Sequence, residues 1–546
     1  MRDNGFKAPD NPILAPITSI ENRDAILKRA DDGTPLPHPA EWPEADFIIG
    51  NPPFLGSKLF RKWGLSEEYL QALFAAYDLP KTSDLCCYWF ELAHRAMKRN
   101  PSVRVGLLAT QGIRGGDNRT VLERIRSTGN IFWAWSDRPW VLDGAAVRVS
   151  MVGFTGRGDS SPVELNGSRV SAISAALTSG SDTSTAVRLP ENSDLAFMGD
   201  TKGGGFDLGW EEARTLLASP NPSSVSNADV VRPWVNGLDI TRRSRSMWII
   251  DFGASMSLQQ AAQYERPFQV IDERVRPQRS KNRRESYAER WWLHAEPRPR
   301  MRERLSGRRF VATPNLTKFR LFTFMPSVVL PDHQLIAFVR EDYYFFGVLH
   351  SSIHELWSLR MGTRLESRPR YTPTSCFETF PLPWPPGKEP ADHPAYLRIA
   401  EAARELNDQR ERWLNPPEWI GPIAARIDAA DDFSDVPPEA RPLIRHSAIM
   451  AAAAKDPRLK KRTLTNLYNA RPTWLRLAHE KLDRAVLAAY AATDEGGDWH
   501  ESWAEVWTET GAGQPLPESH PLHTRRTEID EKVLAHLLRL NHARAT

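Results

Sequence analysis

In the segment DFIIGNPPFLGSK (46–58) an apolar run, Phe47-Ile48-Ile49, stops at a glycine and gives way to Asn51, Pro52, Pro53 and Phe54. These residue types suit one chemistry. The exocyclic amino group of a nucleobase is a poor nucleophile because its lone pair is delocalised into the ring. A site that accepts both of its N–H bonds draws the nitrogen toward tetrahedral geometry. The side-chain oxygen of Asn51 and a backbone carbonyl of the following proline supply two such acceptors. The prolines hold those acceptors in place before reaction. Phe54 offers a stacking face to a base swung out of a duplex, inside which the amino group is out of reach.

Such a turn needs a strand end to carry it. Residues 47–49 read as a strand, 103–109 (VRVGLLA) as a second buried one, and 147–154 (VRVSMVGF) as a third with alternating faces. Segments 67–76, 87–98 and 119–127 carry apolar residues at helical spacing. Strands interleaved with helices predict a mostly parallel α/β sheet whose ligands gather at the carboxyl ends of its strands. Residues 161–194 are rich in Gly, Ser and Thr and read as a linker or surface excursion. Between 195 and 385 short strands, prolines and aromatics predict a separate α+β domain, which the proline-dense PLPWPPGKEP (381–390) closes. Alanine- and leucine-rich helical patterns fill 386–546.

A length of 546 residues is too great for one ordinary core. Hydrophobic content of 41% and charged content of 25% are those of a globular protein. No apolar run approaches the roughly 20 residues that span a bilayer, so no membrane partner is expected. Nothing in MRDNGFKAPDNPIL marks an export signal, and Cys86, Cys87 and Cys376 suit a reducing compartment; the expected location is cytoplasmic. The adjacent cysteines cannot form a CxxC site, and no metal is assigned. Net charge is only +3, but between Arg274 and Arg320 fifteen lysines and arginines face four acids. That excess suits a phosphate-facing surface, with Arg274, Arg276, Arg279, Lys281, Arg283 and Arg284 as its candidates. Trp291 and Trp292 read as core or platform residues, and His333 as structural or a polar contact.

The turn resembles the catalytic motif of amino-group methyltransferases that use S-adenosylmethionine, in which Asn or Asp, two prolines and an aromatic characterise N6-adenine enzymes. SIENRDAIL (19–27) resembles the family segment whose acid, here Asp24, bonds the cofactor's adenine amino group. SDLCCYWFELAHRAMK resembles the motif that would set Asp84 and Phe90 near the cofactor pocket. VGLLATQGIRGGDNR (105–119) and GAAVRVSMVGF (144–154) resemble later strands of the same sheet. DVVRPWVNGLDITRR, NRRESYAERWWLH, LPDHQLIAF and RPRYTPTSCFETFPLPWPP resemble the target-recognition region of large bacterial modification methylases of restriction-modification and phage-defence systems. NLYNARPTWLRLAHEKLDRAVLAAYAA is similar to their helical tail. The resemblance implies a partial methyltransferase domain over 1–160, with a Rossmann-like sheet, and a recognition domain over 195–385. It also implies S-adenosylmethionine as cofactor and double-stranded DNA as partner.

The pattern departs in one place. Family members carry a Gly-rich loop after their first strand, and MRDNGFKAPDNPILAPIT holds no such sequence, so the expected sheet is incomplete. TKGGGFDLG (201–209) lies far past the catalytic motif and reads as a turn. A truncated gene product, a split enzyme whose partner chain brings the cofactor loop, and a degenerate protein that keeps DNA binding all remain open, and the retained NPPF favours the first two. No nuclease motif of spaced acids and lysine is seen, so cleavage by this chain is not expected. Two other functions stay in view. A non-catalytic DNA-binding specificity component would bind DNA in a salt-dependent way without cofactor affinity. A protein glutamine-N5 methyltransferase would use a similar turn, but those enzymes are short, usually have NPPY, and lack a large recognition region. N4-cytosine enzymes more often place Ser before the prolines.

Overall fold

A computed structural model describes residues 20–545 except 143, 144, 159, 160, 283, 366, 367, 515 and 518. The chain divides into two compact units, one ending at Ser179 and one beginning at Gly180.

The first unit opens with an antiparallel hairpin, β1 (Leu27–Arg29) and β2 (Pro35–Pro39). Strand β3 (Phe47–Gly50) follows, then helix α1 (Glu67–Ala76). The Ser66 side chain caps α1 by accepting from the Tyr69 amide, and Glu67 and Glu68 sit at its positive end. Beyond α1 come α2 (Cys86–Arg99), β4 (Arg104–Thr110), α3 (Thr120–Thr128), β5 (Gly129–Leu142) and β6 (Ala145–Gly156), closed by the short β7 (Glu164–Leu165) and β8 (Ser168–Arg169). The sheet order is β3-β4-β6-β5-β7-β8.

That order corrects the expectation of a mostly parallel sheet. Only β3 with β4 and β5 with β7 run parallel. Chain connection explains it: β5 ends at Leu142 and β6 begins at Ala145, which leaves no length for a crossover helix to return the chain to the same end of the sheet. Strand β5 itself was not legible. Its ladder with β6 shifts register between Ile131 and Trp133 and again between Trp135 and Arg138, which breaks the alternation a reader looks for. Beneath the sheet, Phe90, Val105, Leu107, Ile125, Ala134 and Phe154 belong to one buried cluster.

The second unit holds two four-stranded sheets and a helical region. One sheet orders its strands as 207–208, 248–250, 231–235 and 330–331, and the other as 323–325, 310–314, 335–338 and 196–198. Long helices over Pro394–Leu414, Thr473–Thr493 and His523–Arg544 follow. One continuous apolar core runs from Ala196 to Leu540 through both parts. No helix among the described residues is long and apolar enough to cross a membrane.

Asp483, on the helix Thr473–Thr493, accepts bonds from the Ser352 amide at 2.7 Å and the Ser352 hydroxyl at 2.6 Å, at the start of the helix Ser352–Met361. Burial pushes its carboxyl from 3.8 up to about 7, against the Ser352 bonds that favour the charge. The folded state therefore holds a proton that the unfolded state releases between pH 4 and 7, and stability falls as pH rises through that window. Thermal unfolding followed across that range should show a smaller decline in Asp483→Asn than in the wild type.

Candidate active site

Strand β3 delivers Asn51 at its carboxyl end. Its ladder with β4 sets Ile48 opposite Val105 and Gly50 opposite Leu107. A Cβ on Gly50 would lie 3.2 Å from the Leu107 side chain, so glycine lets the strand end close against its neighbour. In the turn, Pro52 is buried, Phe54 is half-buried, and Asn51 and Pro53 are exposed. The Leu55 amide donates to the Pro53 carbonyl at 3.1 Å, which bends the chain sharply after the second proline. The Asn51 side chain makes no hydrogen bond among the described residues, so its carbonyl oxygen is available to a ligand.

Two other segments reach the same end of the sheet. The Leu85 amide donates to the Leu55 carbonyl at 2.8 Å, and the Ser57 hydroxyl donates to the Thr82 carbonyl at 2.9 Å. Asp84 lies between them. Its amide donates to Asn118 Oδ1 at 2.7 Å, and Asn118 Nδ2 donates back to Asp84 Oδ2 at 2.8 Å. Burial pushes the Asp84 carboxyl up, while hydrogen bonds from Asn118 and the Ser57 backbone oppose the shift. Next to this pair, after β4, the side-chain oxygen of Gln111 is buried with no partner among the described residues. Neither Gln111 nor Asn118 was singled out from sequence, because a lone amide in a loop has no pattern to betray it.

Each residue expected to hold the cofactor has partners within the protein. Asp24 spends its carboxylate on the amides of Ile26 and Leu27, on Arg29 and on the Tyr69 hydroxyl, within the hairpin that packs on α1. Phe90 is fully buried and stacks on Phe154 with ring centroids 6.1 Å apart. It is a core residue, because its face of α2 is the one the sheet covers. Asp84 reaches the turn, and its carboxylate accepts from Asn118.

The basic stretch also divides. Arg274 pairs with Glu212, and Arg276 with Asp272 one helical turn away. Arg279 is buried and donates to the carbonyls of Lys202 at 2.7 Å and Gly203 at 3.2 Å, fixing the glycine-rich turn. Gly203 there has φ +64°, and a Cβ would meet Ala295 at 2.6 Å. Arg279 is thus structural, a correction to the phosphate-facing reading. Lys281 and Arg284 are exposed, with Arg284 bonded to the Tyr287 hydroxyl at 3.0 Å. Arg283 lies outside the described residues. Trp291 is core, and Trp292 donates to the Met256 carbonyl at 2.9 Å.

Sequence reading also missed a buried charge network in this unit. His294 Nδ1 lies 2.8 Å from Asp200, and Arg302 donates to Asp251 at 2.6 Å and pairs with Asp200 as well. Burial would raise the Asp251 carboxyl, yet Arg302, His294 and Arg232 hold it at about 2. The network joins residues far apart in the chain, so no local motif announces it.

Residues 16–164 match the family model described as the MmeI DNA-methyltransferase domain, and residues 199–384 the one described as the MmeI target recognition domain. The chain belongs to the MmeI-like modification methylases with a fused recognition domain. A protein of Bacillus subtilis (strain 168), DNA methyltransferase A, is 24% identical over 396 residues, which are 68% of this chain and 42% of that protein. The fold is similar to that of the Type IIL restriction-modification enzyme MmeI, solved in complex with DNA, with a TM-score of 0.60 at 20% identity. That likeness covers 91% of this chain and 57% of the solved one. The chain thus spans about half the length of the relatives it matches. The family expected from the turn and the later motifs is the one found.

Arg279→Ala removes a buried side chain and its bonds to the Lys202 and Gly203 carbonyls and should cost about 2 kcal/mol or more in denaturant unfolding, whereas Lys281→Ala should stay within about 0.5 kcal/mol.

Proposed function

We propose that this chain is the catalytic and recognition portion of a site-specific DNA methyltransferase that modifies adenine at N6, with S-adenosylmethionine as donor, in restriction-modification or phage defence. The observation that carries the reading is an exposed Asn51 with an unengaged side chain, emerging from a strand end on a turn anchored by the buried Pro52. The Pro53 carbonyl already accepts from Leu55. The second acceptor for the amino group is therefore the Pro52 carbonyl. With both N–H bonds accepted, the nitrogen lone pair leaves conjugation with the ring and points away from the turn. Phe54 stacks on the extruded base, and the second unit holds the duplex through phosphate contacts that include Lys281 and Arg284. The donor, when bound, supplies the methyl group.

Support for a further segment at this site comes from the sheet edge. Among the described residues strand β3 pairs only with β4, and on it Phe47 is 67% and Ile49 84% exposed. An uncharged, apolar edge strand is a template for another strand, and parallel strands are usually covered on both sides. We read this edge as the surface where the segment bringing the donor-side loop adds a strand, supplied either by a longer form of this protein or by a partner chain.

The test is transfer of labelled methyl groups to bacterial DNA, assayed with the chain alone and with the polypeptide encoded beside it. Activity is expected to require or to rise with the second polypeptide, and to fall roughly a hundredfold or more in Asn51→Ala. Undiminished transfer by Asn51→Ala would contradict the assignment.

A further inference from the structure

Asp84 sits just before α2, where a carboxylate ordinarily accepts from the first amides of its own helix. It does not do so here: the start of α2 has no side-chain cap. The carboxylate turns instead to Asn118, thirty-four residues on, and the two residues exchange a pair of hydrogen bonds of 2.7 and 2.8 Å. The orientation of the Asn118 amide is determined, since a flip would set its NH2 against the Asp84 amide and its oxygen against the carboxylate. On the opposite side the Ser57 backbone bonds to the same carboxylate, and the Leu55 carbonyl takes the Leu85 amide. Ser83 donates to the Asp117 carbonyl at 3.4 Å, a weaker tie in the same direction. Residues 82–85 thus lie between the end of the catalytic turn and the loop after β4, bonded to both.

We propose that Asp84 and Asn118 form a clamp that positions the Asn51–Phe54 turn, and that Asp84 acts through this pairing rather than as a direct contact to the methyl donor. The clamp stands on geometry alone; its effect on catalysis rests on the function proposed above. A polar pair suits the task because it is directional. Apolar contacts would hold residues 55–57 near the loop, whereas reciprocal hydrogen bonds fix the angle at which the turn leaves β3, and small misplacements of reacting groups are costly.

The pairing permits a specific exchange of partners. In the double variant Asp84→Asn with Asn118→Asp, the new amide at 84 donates to the new carboxylate at 118. The second oxygen at 118 still accepts from the backbone amide of residue 84, and the oxygen at 84 still accepts from Ser57. All the bonds survive with one direction reversed. Hydrogen exchange of the full chain should show amides of 54–57 and 111–118 opening about tenfold more readily in Asn118→Ala, with β4 and α2 unchanged, and returning near wild-type values in the exchanged double variant. This arm reads the clamp whether or not the chain transfers methyl groups. In the transfer assay, kcat should fall about a hundredfold in Asn118→Ala with little change in the KM for S-adenosylmethionine, and the double variant should recover it. Unchanged exchange in Asn118→Ala would overturn the clamp. Restored exchange with transfer still lost, or with a raised KM for S-adenosylmethionine, would assign the Asp84 charge to the donor and overturn the positioning role.

Discussion

The parallel pairing of β3 with β4 fixes where Asn51 leaves the sheet, and the geometry of the site depends on it. Four residue pairs make the ladder, and of its eight residues Arg104 alone carries a charge. Its strength comes from the apolar side chains of β4, where Val105, Leu107 and Ala109 face the core in alternation, and from the close approach that Gly50 allows. The opposite edge of β3 has no partner among the described residues. The strand that carries the reactive turn is therefore supported on one side by a packed sheet and exposed on the other.

Polar contacts do at the strand ends what packing does below them. The sheet sets the height of the turn, and the bonds from Leu55, Ser57 and Asn118 to residues 82–85 set its angle. The second unit uses charge differently: Asp200, Asp251, His294 and Arg302 face one another inside it. Lys281, by contrast, is exposed.

Much of this was legible in sequence because it is local. The helix at 67–76 has its cap, its acids and its apolar face within ten residues, and it forms over those residues. The strand expected at 47–49 likewise forms, and the Asn51–Phe54 turn follows it directly. Illegible features depend on distance in the chain or on burial. The Asp84 pairing spans thirty-four residues and the His294–Asp200 contact ninety-four. Arg279 looks like its neighbours until its burial is known. Phe90 fits a cofactor motif and a core helix face equally well, and only packing against Phe154 distinguishes them.

The central claim is that the Asn51–Phe54 turn serves an exocyclic amino group of a DNA base. Mass spectrometry of nucleosides, digested from DNA after incubation with the chain, its neighbouring polypeptide and methyl-labelled S-adenosylmethionine, tests it without knowledge of the recognition sequence. Label in N6-methyladenine is the predicted result. Label on a ring carbon such as cytosine C5, or on protein glutamine with none in DNA, would contradict it.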